Sequence, residues 1–283
     1  MKNYIKILVI LLFVPLSMIG QEKEEKEEQK EKEQLERPAF ESAILIDTQT
    51  DVLYKKNVLE IQMGHRFGLI NGGENDLGGI WAPSNIRLGA SYSVHERITV
   101  GFGTTKFNRL QDFNWKVALL RQTRSNKIPL NISYYGNFTI DARKKENFNN
   151  VSDRYSFFNQ LIFSKRINPK LSFQVAPSWS HYNAVVDAMR NDMISVSLGG
   201  RYKISDQTAI LVDYSQPITK IIEDNPHPGI SLGVEFGTSA HAFQLFISNY
   251  NGIVPQKNAM FNQNDFFNGD FLIGFNITRL YHF

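Results

Sequence analysis

The sequence predicts an all-β protein: an antiparallel transmembrane β-barrel of about 12 strands, preceded by a signal peptide and a charged tether. Three observations lead there. From Val58 onward, apolar and polar residues alternate in segments near the length a tilted membrane strand needs. The connections between segments alternate between short and long. The chain also closes on a strand with one aromatic face.

Residues 1–20 read as a secretory signal, with Lys2 and Lys6 ahead of the apolar run Ile7 to Val14 and small residues at Ser17 and Gly20. Eight apolar residues are too few to cross a bilayer as a helix. Residues 21–38 form a Glu/Lys block with Leu35 as its one large apolar residue. Such a block buries little and is expected to stay solvated as a periplasmic tether. Residues 39–283 are assigned to the barrel domain. They open on a short strand-like run, Phe40, Ile44 and Ile46, and then turn chemistry from Asp47 to Asp51, and whether this run joins the wall is left open.

Twelve alternating segments follow, at 58–67, 85–94, 97–105, 112–122, 129–140, 154–165, 171–182, 193–204, 207–217, 229–237, 241–250 and 270–283. Side chains alternate faces along a strand, so Leu59/Ile61/Met63/Phe67 and Phe113/Trp115/Val117/Leu119 each mark one apolar side. The sixth segment is ambiguous, because Phe157 and Phe158 occupy both faces. In the last, Phe271, Phe275, Ile277, Tyr281 and Phe283 share one face. Phe275, Ile277, Tyr281 and the terminal Phe283 form the expected insertion signal, and the segment at 58–67 is the expected closing partner.

Connections are short at 95–96, 123–128, 167–170, 205–206 and 238–240, and mostly longer at 68–84, 106–111, 141–153, 183–192, 218–228 and 251–269. That asymmetry is the pattern of bacterial outer-membrane barrels, with periplasmic turns and extracellular loops. An even strand count then places both termini in the periplasm. Basic residues on otherwise apolar faces, Arg121, Lys165 and Arg279, lie beside short turns or the C-terminus, where they reach headgroups. A soluble sandwich would turn the same alternation toward a core, but gives no reason for the loop pattern.

Composition narrows the function classes. The absence of cysteine excludes disulfides, thiolate metal sites and an acylated lipoprotein cysteine. Residues 22–37 carry eight Glu against four Lys and Arg37, a net of −3, and residues 38–283 carry 24 basic and 20 acidic residues, a net of +4. So small an excess does not make a nucleic-acid binder.

Several strings resemble an uncharacterised outer-membrane β-barrel family of Bacteroidota, domain of unknown function 5777. They are His65 to Gly68, Ala82 to Gly89, Gly101 to Lys106, Leu110 to Lys116, Gly199 to Ile204, Asn249 to Gln256 and Gly274 to Arg279. The resemblance covers most of residues 40–280 and implies a barrel in the cell outer membrane. It implies no reaction.

Polar faces supply the lumen-lining candidates Glu60, Arg66, Arg87, Lys116, Arg201, Asp213 and Glu235. Two expectations stay open for them: a lattice of mutually satisfied groups, or a narrow small-solute channel with a weak preference for anions. Twelve strands fall between eight-stranded barrels filled by side chains and porins of 16–18 strands with an open channel. Scaffold duty in an envelope assembly is the alternative, and a lipid hydrolase the remote one. For the last, Ser180-His181 lies near Asp187 and Asp192, but adjacent strand residues point to opposite faces and cannot pair. No catalytic residue is assigned, and no cofactor or metal is expected. Gly101 to Lys106 lacks the spacing of a phosphate loop. Gly72 to Asp76 and Pro226-His227-Pro228 read as external loops rather than metal sites. The expected partners are outer-membrane lipids, the barrel-assembly machinery and small solutes. Deleting Phe283 is expected to lower the amount of assembled barrel in membrane fractions; undiminished levels would remove its role as an insertion signal.

Overall fold

The computed structural model describes residues 33–72, 74–238 and 240–283. The signal peptide expected at 1–20 and most of the tether lie outside the described residues. Twelve strands form the wall: β1 (Val58–Leu69), β2 (Asn85–His95), β3 (Ile98–Thr105), β4 (Leu110–Leu120), β5 (Asn131–Asp141), β6 (Tyr155–Arg166), β7 (Leu171–Tyr182), β8 (Asp192–Lys203), β9 (Thr208–Pro217), β10 (Gly229–Gly237), β11 (His241–Ser248) and β12 (Leu272–His282). Each pairs antiparallel with its sequence neighbours, and β1 pairs with β12 from Val58↔His282 to Leu69↔Leu272, closing the barrel without an edge. Closure lets every wall strand satisfy its backbone groups on both sides, which a lipid environment demands. The expected strands and the expected closing pair are all present.

Inward and outward residues follow the pleat. On β9, Ala209, Leu211, Asp213 and Ser215 are buried toward the lumen, while Ile210 and Val212 face out. The sixth strand resolves the same way. Phe157 lies outside against Phe138 and His181. Phe158 lies inside with Tyr135, Ile162 and Ala176. Bulky outward aromatics also use the sheet surface: Trp115 covers Gly136 so closely that a Cβ there would lie 2.3 Å from the indole.

The short connections gather at one end with the start of β1 and the end of β12, and the longer connections gather at the other. At the turn end, Glu33 to Pro38 are largely exposed but make specific contacts with the wall's turns. Leu35 bridges Thr123, and Glu36 donates its backbone N–H to the Gln122 carbonyl at 2.8 Å. Glu33 meets Ser125 and Lys127, whose hydrogen bonds hold its carboxyl below the ordinary range.

Residues 39–57 decide the question left open for the run at 40–46. They add nothing to the wall and instead run up the inside of the barrel and back. A turn brings Leu45 N–H to the Thr48 carbonyl at 2.9 Å and Thr50 N–H to the Ala43 carbonyl at 3.0 Å, with Asp47 and Thr48 at its tip. The return limb joins β1 through Asn57, whose left-handed φ of 66° an asparagine tolerates better than most residues. Because the protein has no cysteine, Thr48→Cys carries a single thiol. It is expected to resist a membrane-impermeant maleimide in the folded barrel, whereas Phe267→Cys, on a loop residue that is 84% exposed, reacts. Equal labelling rates would show that the hairpin is not seated.

Candidate functional site

The lumen is the site, and it is occupied. Apolar contact comes first. Phe40, Leu45, Ile46 and Val52 of the inner hairpin pack with Leu211 and Phe246 from the wall. A Cβ at Gly199 would lie 2.5 Å from Leu45 Cδ2, so this β8 glycine is the notch that admits the leucine.

Polar side chains of the wall then satisfy the hairpin's backbone, which has left water without joining a sheet. Lys116 Nζ donates to the Ala43 carbonyl at 3.0 Å, Gln244 to that of Ile44 at 3.0 Å, Asn276 to that of Ile46 at 2.9 Å and Gln174 to that of Gln49 at 3.0 Å. Asp213 Oδ2 accepts the backbone N–H groups of Asp47 and Thr48, both at 2.9 Å, and its carboxylate also takes the Thr48 hydroxyl.

At the tip, Asp47 meets Arg66 at 2.8 Å with both side chains essentially inaccessible to water. The remaining Asp47 oxygen accepts from Ser231 at 2.6 Å and Ser248 at 2.9 Å. Arg66 also donates to Asn276 and to the Ile46 carbonyl, and its guanidinium lies 4.4 Å from the Phe246 ring centre. Desolvating two charges is costly, so a pair like this persists where other hydrogen bonds complete it.

All seven lumen candidates face inward, but in four groups. Arg66 and Asp213 hold the hairpin tip. Glu60 accepts from Tyr54 of the return limb at 2.8 Å, and Lys116 grips both limbs, the second through the Val52 carbonyl at 3.4 Å. Arg201 pairs with Glu235 at 2.8 Å and reaches Glu41 at 3.4 Å. Arg87 stands apart from the hairpin in a bidentate pair with Asp112, two bonds of 2.8 Å. Gly103 leaves room for that guanidinium, since a Cβ there would lie 2.2 Å from Arg87 Nη2.

A second closure lies at the loop end. The connection expected as a long loop at 251–269 carries a short helix, α1 (Pro255–Phe261), started by proline at its first turn. Its Gln256 donates toward Asn137, Thr139 and Ser156 at 2.9–3.2 Å, and Met260 packs with Met193 and Ile221. Between hairpin tip and helix lies a gap of about 20 Å³, room for one water.

Other candidates sit elsewhere. His181 is outside the barrel, 2.9 Å from Asp192, while Ser180 is buried on the opposite face. His227 lies 3.9 Å from Asp265 in the external loops. In the closing strand Phe275 stacks on His65, Tyr281 and Phe283 remain exposed near the turn end, and Ile277 pairs with Met63 and Phe243.

Over residues 40–281 the chain matches the family described as a membrane-bound β-barrel domain, DUF5777. The chain belongs to that family. No curated protein matches it. Solved structures with a similar trace include an outer-membrane channel from Pseudomonas putida F1, at 11% identity over 81% of this chain and 97% of that one, with a TM-score of 0.48. KdgM porin is 9% identical over 80% and 99% of the two chains, with a TM-score of 0.42. OmpT, an outer membrane protein of Vibrio cholerae, is 12% identical over 82% and 99%, with a TM-score of 0.40.

In this DUF5777 barrel the ion pair at the hairpin tip is costly to break from one side, because both partners are buried. Asp47→Ala strands a buried guanidinium and is expected to lower stability by about 3–5 kcal/mol. Asp47→Ala combined with Arg66→Met removes both charges and is expected to cost clearly less. Urea unfolding of the refolded barrel, read by heat-modifiable gel mobility, measures both. Equal losses would mean that the charge left behind is not the source of the cost.

Proposed function

We propose that the protein is an outer-membrane barrel that passes small solutes through a lumen closed at rest by residues 39–57, with loops outside the cell and both termini on the periplasmic side. The observation that carries this is the independence of wall and hairpin. The twelve-strand ladder closes completely without any residue before Val58. The hairpin can therefore leave without breaking a strand-to-strand hydrogen bond, and what it leaves behind is a mostly polar lumen, with Leu211 and Phe246 as apolar patches and α1 still over its loop end. The wall side chains that grip it, among them Arg66, Lys116, Gln174, Asp213, Gln244 and Asn276, are groups that water can equally well satisfy. Withdrawal frees Arg66 and Lys116 from hairpin partners together with Asp213 and Glu60, so any charge preference of the open lumen is weak. No catalytic step belongs to this reading.

One observation favours the scaffold alternative. The tip is buried in mutually satisfied contacts around Asp47, and a hairpin held that tightly suits a static barrel.

Planar-bilayer recording separates the two. Wild-type barrel is expected to conduct rarely, and Asp47→Ala with Thr48→Ala and Gln256→Ala, which loosens both closures, to show longer or more frequent stepwise openings in the same folded population. Conductance that is absent from both proteins, with folding verified on the gel, would retire the channel and leave the scaffold.

A further inference from the structure

A large space on the molecule lies outside the lumen. A cavity of about 460 Å³ opens at the loop end, between the β5–β6 connection, the β7–β8 connection and α1, a volume in the range of small-molecule sites. Its two sides differ in chemistry.

One side is apolar. Tyr182, Val185, Met189 and Phe261 line it and pack onto the buried Met193, Ile221 and Met260, so it is backed by a fixed cluster rather than by a loop alone. Tyr182 and Phe261 meet edge to face, with ring centres 4.9 Å apart.

The other side carries charges that are not equivalent. Arg143 is spoken for: it meets Asp141 at 2.7 Å, and that hydrogen bonding holds its guanidinium firmly charged. Arg154 donates to the Arg143 carbonyl at 2.6 Å and covers the Phe148 ring at 4.9 Å. Asp153 accepts the backbone N–H of Asn150 at 2.7 Å. Lys257 differs. Its ammonium rests 4.1 Å from the Phe261 ring centre and, among the described residues, forms neither a hydrogen bond nor an ion pair, whereas Arg154 lacks only the ion pair. Burial, and then the nearby Arg143, pull its pKa below the ordinary lysine value. A desolvated cation at the border of an apolar wall is matched by an anion attached to an apolar body, since the anion supplies the missing partner and the body displaces water from the wall.

We propose that this cavity binds an amphipathic monocarboxylate, with the carboxylate on Lys257 Nζ and the apolar body against Tyr182, Val185, Met189 and Phe261. Occupancy does not require the lumen to open, so the site stands or falls apart from conduction.

The test uses full-length protein in lipid nanodiscs and isothermal titration with 4-phenylbutyrate and its neutral relative 4-phenylbutanamide, each corrected against empty nanodiscs. Saturable binding of the acid is expected, with the amide weaker by about tenfold, the scale of one charge-assisted hydrogen bond. Lys257→Met is expected to bring the acid down to the level of the amide, and Lys257→Arg to retain most of the difference. Absence of saturable binding beyond the empty discs overturns the site. Equal binding of acid and amide by the wild-type protein overturns the role of Lys257, and this comparison decides the point even where Lys257→Met fails to fold. Decanoate in place of 4-phenylbutyrate then distinguishes an aliphatic from an aromatic body.

Discussion

The buried pair of Asp47 and Arg66 depends on everything around it and explains why so much is there. A carboxylate and a guanidinium withdrawn from water repay their desolvation only when their remaining hydrogen-bonding capacity is largely filled. Ser231, Ser248, Asn276 and the Ile46 and His65 carbonyls supply it except at Arg66 Nε, which is left without a hydrogen-bond partner while the guanidinium lies against the Phe246 ring. Those groups come from β10, β11, β12 and the hairpin, while Arg66 and His65 come from β1. The tip thus reads the closure of the barrel: Asp47 finds its full set of partners only once first and last strands are joined. An ion pair that adds little net stability in isolation still specifies where the hairpin stops.

The wall was legible because membrane strands repeat a two-residue rule under a length limit, and the chain obeys both from Val58 to its end. The hairpin was not, since residues 39–57 carry no sustained alternation, and a segment that bonds to wall side chains has no register to advertise. Its trace lay in the wall instead. Leu211 and Phe246 stand on otherwise polar inward faces, where a water-filled lumen has no use for them, and Gly199 leaves a notch facing the same space. Seven charged lumen candidates could be listed from the alternation alone, yet their partition could not. Arg87 finds its carboxylate on the neighbouring wall, whereas Arg66 finds one on a segment 19 residues upstream. Helix α1 escaped notice for another reason: seven residues are too few for a helical period to stand out from a polar loop.

For the proposed channel, topology also sets the direction of opening. The hairpin enters near the β4–β5 turn, where Leu35 and Glu36 are bonded to Thr123 and Gln122, and leaves through Asn57 beside the end of β12. Both of its ends are therefore held at the turn end. At the other end α1 covers the tip, anchored through Gln256 to β5 and β6. Withdrawal toward the turn end breaks the hairpin's own contacts and leaves α1 in place, whereas passage toward the loop end would have to displace the helix and carry Asp47 past it. A full opening thus needs two separate events, the hairpin retreating on one side and the helix swinging on the other. Neither event breaks a rung of the strand ladder, because the rungs run between wall strands alone.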